Sequence, residues 1–200
     1  MNLLSKAAAL VAAAAFAASP LAAQDKKADK PPMDEKAAME MMQKIATPGA
    51  GHKKLDAWVG SWTSKTTVWM DPTKDPVKTD GSSELKWALG GRYVQQNYEG
   101  QFMGGPFSGI GYTGYDNYKK KYVSTWMDTA STGMMWSTGS FEGKALSTKA
   151  TVNDPMSGKA TPVDQKLTIA DNDHLTLEMF GKGPDGKMFK MMEIQYTRKK

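Results

Sequence analysis

The chain has 200 residues, 40% of them hydrophobic and 24% charged, with 26 basic against 21 acidic side chains and a formal charge of +5. That composition excludes a disordered chain, a collagen-like fibre and a multi-span membrane protein. The absence of cysteine excludes a disulfide scaffold, a thiolate metal site and a cysteine nucleophile, and two histidines are too few for a multi-histidine metal centre.

Residues 1–23 read as a secretory signal. Lys6 is the only charge before Asp25, the run Ala7 to Ala18 has the length of an h-region, and Leu21-Ala22-Ala23 offers a cleavage site. An exported protein, periplasmic or secreted, is therefore expected. Residues 24–33, QDKKADKPPM, read as a flexible leader. Residues 34–54 predict one short amphipathic helix and a linker. Asp34 stands where a cap is needed, Glu35 suits the first turn, and Ala37, Met41 and Ile45 form one stripe with Ala38 and Met42 beside it. Thr47-Pro48-Gly49 ends that helix.

Residues 55–200 have a different texture. Short aromatic and β-branched runs alternate with glycine, proline and aspartate turns. They predict about ten strands, near 61–70, 82–89, 92–100, 107–115, 121–127, 134–141, 145–153, 163–169, 174–180 and 188–197. No connection is long enough for a crossover helix, so neighbours in sequence pair antiparallel. Alternation places Leu146, Thr148, Ala150 and Val152 on one face, Leu175, Leu177 and Met179 on another, and Met192, Ile194, Tyr196 and Arg198 on a third. The fold class expected is all-β: an antiparallel up-and-down barrel that buries these faces and removes its edges. The outward lysines and the terminal Arg198-Lys199-Lys200 argue against membrane insertion. The short lysine runs lack the dense stripe that nucleic acid requires.

The segment Leu55-Asp56-Ala57-Trp58-Val59-Gly60-Ser61-Trp62 carries a Gly-x-Trp at the start of the first strand. It resembles the lipocalin and fatty-acid-binding superfamily, in which that tryptophan closes one end of the barrel and a late basic residue lies over it. Arg198 is the candidate for that cation–π partner. The ordered set Trp87 to Gln96, Gly105-Pro106-Phe107, Gly111 to Asn117, Tyr122 to Asp128, Glu178-Met179-Phe180, Gly183 to Lys187 and Met192 to Arg198 is similar to the bacterial family called domain of unknown function 1579. The resemblance runs over about residues 36–200. It implies a lipocalin-like barrel behind a short helix, and it implies no activity.

Catalytic chemistry finds little footing. His52 lies in the linker and His174 opens a strand on its polar face, and both are expected to face solvent. Neither accompanies a Gly-x-Ser-x-Gly motif. Glu99, Asp128, Glu178 and Glu193 stand on separate strands, and sequence cannot pair them. A haem would need His174 aimed inward, against its parity with Thr176 and Glu178. Thioether copper ligation would need methionines that converge, whereas adjacent ones such as Met134-Met135 and Met191-Met192 point to opposite faces. No cofactor or metal is expected.

The aromatic set points instead to a ligand in the lumen. Trp62, Trp87, Tyr112, Trp126 and Tyr196, with Gln95, Asp128 and Arg198 as polar groups, are the candidate binding residues. Gly109, Gly111 and Gly114 fit either a cavity or a sharp bend, and a barrel of this size is either hollow or packed solid. The function expected is binding of a small apolar or amphipathic molecule. Two alternatives stand beside it: an enzyme acting on a lipid-like substrate in the same pocket, and an interaction module using the helix or a barrel edge.

Overall fold

A computed structural model describes residues 34–153 and 158–200. The signal and leader assigned to residues 1–33 lie outside the described residues. The elements, in chain order, are α1 (Glu35–Ala46), α2 (Ala50–Lys53), a 3-10 turn (Asp56–Trp58), and ten strands. The strands are β1 (Gly60–Val68), β2 (Val77–Ala88), β3 (Tyr93–Phe102), β4 (Gly105–Asp116), β5 (Lys121–Asp128), β6 (Met135–Glu142), β7 (Ala145–Asn153), β8 (Ala160–Ile169), β9 (His174–Lys182) and β10 (Met188–Arg198). Each pairs antiparallel with its sequence neighbours, and β1 pairs with β10 to close the barrel. The up-and-down topology expected from the short connections is the one observed.

Local chemistry builds the turns. Met103 (φ 50°) and Gly104 (φ 80°) form a two-residue left-handed link between β3 and β4, the backbone twist that a tight hairpin requires. Aspartates start other turns by accepting a backbone N–H two residues on: Asp116 from Tyr118, Asp128 from Ala130, Asp171 from Asp173 and Asp185 from Lys187. The strand boundaries move most at β2, which begins at Val77 rather than near 82. Its first five residues, Val77-Lys78-Thr79-Asp80-Gly81, follow Pro76 and carry two charges, yet β1 pairs with all of them. Asp34 takes the N-cap position of α1 without making a side-chain cap bond.

Inward parity is set by β1. Trp62, Ser64 and Thr66 are buried while Ser61, Thr63 and Lys65 are exposed. The register carries that parity around the barrel, through Tyr196 and Leu175 on one side and through Ser83 and Tyr98 on the other. The fully apolar core gathers at one end, where Leu55, Trp58, Trp62, Leu146, Leu175 and Tyr196 are buried. The short segment between α1 and β1 therefore forms a plug. Leu55 and Trp58 enter the barrel end, and Trp62 Nε1 donates to the Trp58 carbonyl at 2.9 Å.

Trp62 is wholly buried at this end. Trp62→Ala is predicted to cost about 3–5 kcal/mol of stability, and Trp62→Phe less, because the phenyl ring fills part of the space. Urea unfolding checks both.

Candidate functional site

The two barrel ends are built differently. At the closed end Arg198, opposite Trp62 in the β1–β10 register, places its guanidinium 4.1 Å from the Trp62 ring centroid. The same group donates to three carbonyls: Ala57 (2.9 Å), Val59 (2.7 Å) and Asn172 (2.6 Å). Two of its five N–H donors hold the plug to the last strand, a third reaches Asn172, and Asp173 lies 3.7 Å from its Nε. Trp87 Nε1 donates to Asp56 in the 3-10 turn at 3.1 Å. An aromatic chain completes this end. His52 meets Tyr115 edge-on, Tyr115 and Tyr122 lie 4.9 Å apart, Tyr122 meets Phe141 at 4.9 Å, and Phe141 meets Trp58 at 6.3 Å. Tyr122 donates its hydroxyl to the Gly51 carbonyl at 2.7 Å, and burial pushes its pKa up to about 12.

His52 is buried, contrary to the expectation of a solvent-facing linker histidine. Its Nδ1 accepts the Gly49 N–H at 3.1 Å, which caps the start of α2. Desolvation, aided by the Arg92 charge, lowers its pKa below the ordinary value. His174 is exposed, and its Nδ1 lies 2.9 Å from Asp171 Oδ1 at the β8–β9 turn. Its parity is outward, so its imidazole does not reach the lumen.

The open end is different. The Trp126 ring lies flat on β4, where a Cβ on Gly109 or Gly111 would come within 2.3 or 2.9 Å of it. Its Nε1 donates to Asp128 Oδ2 at 2.8 Å. Tyr98 lies across β2 in the same way. Its hydroxyl contacts Ser64 (3.3 Å) and Thr66 (3.1 Å), and a Cβ on Gly81 would stand 2.5 Å from that hydroxyl. The glycines thus neither widen the barrel nor bend it alone; they let large rings lie against the wall. Phe102 and Phe107 join Tyr98 and Trp126 in one aromatic group.

Between the two ends the lumen is lined by neutral polar groups. Thr113 and Ser124 share a 2.9 Å hydrogen bond, Thr148 donates to Gln165 at 2.9 Å, and Gln96 donates to Ser83 at 2.8 Å and Tyr196 at 3.3 Å. Gln96, Thr113, Ser124 and Gln165 point inward from mid-strand yet remain partly accessible to solvent, as do Trp126 and Asp128. On the same inner face Ser64, Thr66, Tyr98, Ser137, Thr148 and Val163 are buried, so solvent access is confined to part of the interior.

The eight candidate residues separate into three groups. Trp126 and Asp128 line the open lumen, and Tyr196 forms its floor. Trp62, Trp87 and Arg198 belong to the plug. Gln95 and Tyr112 are corrected: they pair with each other on the outer surface, in line with exposed Lys86. Their inward neighbours Gln96 and Thr113 take the places assigned to them. The error arose because β3 and β4 do not alternate cleanly. Tyr93-Val94 offers two apolar faces, and Gly109, Gly111 and Gly114 show no polarity at all. The signal that resolves β4 is Trp126, whose bulk needs glycines opposite it. Met191 also departs from the simple alternation, because the β9–β10 register shifts between Lys190 and Met192 and its sulfur lies over Gly181.

No cluster of three or more His, Asp or Glu side chains suited to a metal occurs among the described residues. α1 contributes none of its residues to the core. It is tied at its C-terminal end, where Asn117 donates to the Ile45 (2.9 Å) and Thr47 (2.8 Å) carbonyls from the β4–β5 turn. That turn is at the plugged end, so α1 is not a lid over the open mouth.

The molecule is thus a closed ten-stranded barrel, plugged at one end, with some inward side chains toward the other end partly accessible to solvent. The chain belongs to the family described as protein of unknown function (DUF1579), whose model matches residues 47–198. No curated protein matches it. It is similar to the crystal structure of Rv2717c from M. tuberculosis, with a TM-score of 0.55 and 15% identity, over 77% of this chain and 100% of that one. A redesigned β-barrel aligns with a TM-score of 0.39 and 14% identity, over 75% of this chain and 96% of that one. The first likeness is one of fold.

The buried His52 makes stability pH-dependent in a defined direction. Its folded pKa is lowered, so below about pH 6.5 the unfolded chain takes up a proton that the folded chain refuses. Stability is predicted to fall between about pH 7.5 and pH 5. His52→Asn, which can keep an acceptor near the Gly49 N–H, is predicted to flatten that slope in urea titrations.

Proposed function

We propose that this chain is an exported barrel that takes a small amphipathic molecule into its open lumen. The observation that carries this reading is the solvent access of inward-facing Thr113, Ser124, Trp126 and Gln165, set against the buried plug at Trp62. The aromatic group of Tyr98, Phe102, Phe107 and Trp126 supplies apolar surface for a ligand body, and the interior hydroxyls and amides supply hydrogen bonds. Binding through desolvation against aromatic rings needs no titrating residue at the site. Neither histidine faces the lumen wall, and Asp128 already accepts the Trp126 indole N–H. These features favour a carrier or sensor over a catalyst. The signal-like residues 1–23 support export.

The test is mass spectrometry of the protein purified from the exported fraction, under native conditions and after solvent extraction. The expected result is a chain beginning at Gln24 with one small organic molecule at near-stoichiometric occupancy. A protein that stays empty in gentle preparations and takes up no amphiphile added in solution would overturn the binding reading.

A further inference from the structure

We infer that the lumen selects an uncharged amphiphile, one whose polar groups are hydroxyls or amides, and rejects the carboxylate of the same body. The inference rests on the lumen-binding reading above and names the ligand class.

Following inward parity along all ten strands, the only charged side chains met are Arg198 and Asp128. Arg198 lies in the plug, stacked on Trp62 and bonded to three backbone carbonyls. It stands beyond Tyr196 at the closed end, with Asp173 3.7 Å from its Nε, so it is not a cation of the upper lumen. Asp128 stands toward the open end and brings a negative charge to the entrance. A carboxylate entering the barrel would leave water, pass an aspartate and meet no cation. An ionised group moved into such a site without a partner is strongly disfavoured.

A neutral head meets the opposite situation. The interior wall from β1 to β7 presents Thr66, Gln96, Thr113, Ser124 and Thr148, with Gln165 next on β8. Hydroxyls and amides both donate and accept, so they match an alcohol or a primary amide in either sense. Ser137, buried and aimed inward opposite Ser124, has a hydroxyl with no hydrogen-bond partner. A buried unpaired hydroxyl gains from any donor or acceptor brought beside it. The opposite wall is apolar, with Val163, Leu167, Leu177, Met179, Met192 and Ile194 facing in from β8, β9 and β10. The lumen is therefore two-sided: uncharged polar on one side and aliphatic on the other.

Calorimetric titration of the mature protein near neutral pH with 1-decanol, decanamide and sodium decanoate tests this, with tryptophan emission as a second readout. The alcohol and the amide are expected to bind at least about ten-fold more tightly than the carboxylate. The emission change should shrink in Trp126→Phe, which places the ligand in the lumen. Gln165→Lys, which puts an ammonium on that wall, is expected to reverse the preference toward decanoate; if it does not fold, the wild-type ratio decides alone. Decanoate binding as tightly as decanol would overturn the inference and leave lumen binding standing. Failure of all three to bind would overturn the lumen-binding reading and this inference with it.

Discussion

The contact between Trp62 and Arg198 joins the first strand to the last at the point where the barrel must close. The indole is fully buried, the guanidinium covers its outer face, and three carbonyls from two separate segments hold that guanidinium in place. Cation–π attraction and charge-assisted hydrogen bonds act here on one side chain, in a site shielded from most solvent. The backbone ladder from Trp62–Arg198 to Val68–Met192 closes the barrel, and this side-chain contact ties the plug segment at Ala57 and Val59 to the end of that ladder. α2 is held to the same end independently, by the Tyr122 hydroxyl on the Gly51 carbonyl and by His52 against Tyr115.

Closing one end so firmly frees the other. The closed end holds most of the buried apolar side chains, and Tyr98, Ala150, Val163 and Ile194 extend the core along the inner wall. Rings that elsewhere would fill a barrel lie against its wall, Tyr98 across Gly81 and Trp126 across Gly109 and Gly111. Neutral hydroxyls and amides then line the space between the rings and the floor at Tyr196. Hydrogen bonds among them satisfy much of the wall, with Ser137 left without a protein partner. The same groups can exchange partners with a ligand. The plug thus concentrates stability at one end, and the proposed binding would use the other.

Much of this was readable in the amino-acid order, and the unreadable parts have physical reasons. Strand number, pairing order and the inward faces of β7, β9 and the end of β10 follow from clean alternation of Leu, Ile and Val with Ser, Thr and Lys. The Trp62–Arg198 contact follows from a family resemblance carried by a short motif. α2 falls in the segment that reads as a linker because four residues are too short to show periodicity. His52 looked exposed because its neighbours Gly51, Lys53 and Lys54 are glycine and lysine, whereas its burial depends on Tyr115, far along the chain. The lumen wall was misplaced by one residue on β3 and β4, where glycine hides parity and a one-residue slip exchanges inside for outside.

The central claim is that water reaches the barrel interior above a sealed end, and a chain without cysteine allows a direct measurement of it. Single cysteines at Ser124 and Gln165 in the lumen, at Thr125 on the outer surface and at Leu175 beneath the seal can be timed against a small charged thiol reagent. The account predicts that Ser124→Cys and Gln165→Cys react in the folded protein at rates nearer to Thr125→Cys than to Leu175→Cys, which stays protected until unfolding. Lumen cysteines as protected as the one at Leu175 would mean a solid core, and would contradict the account.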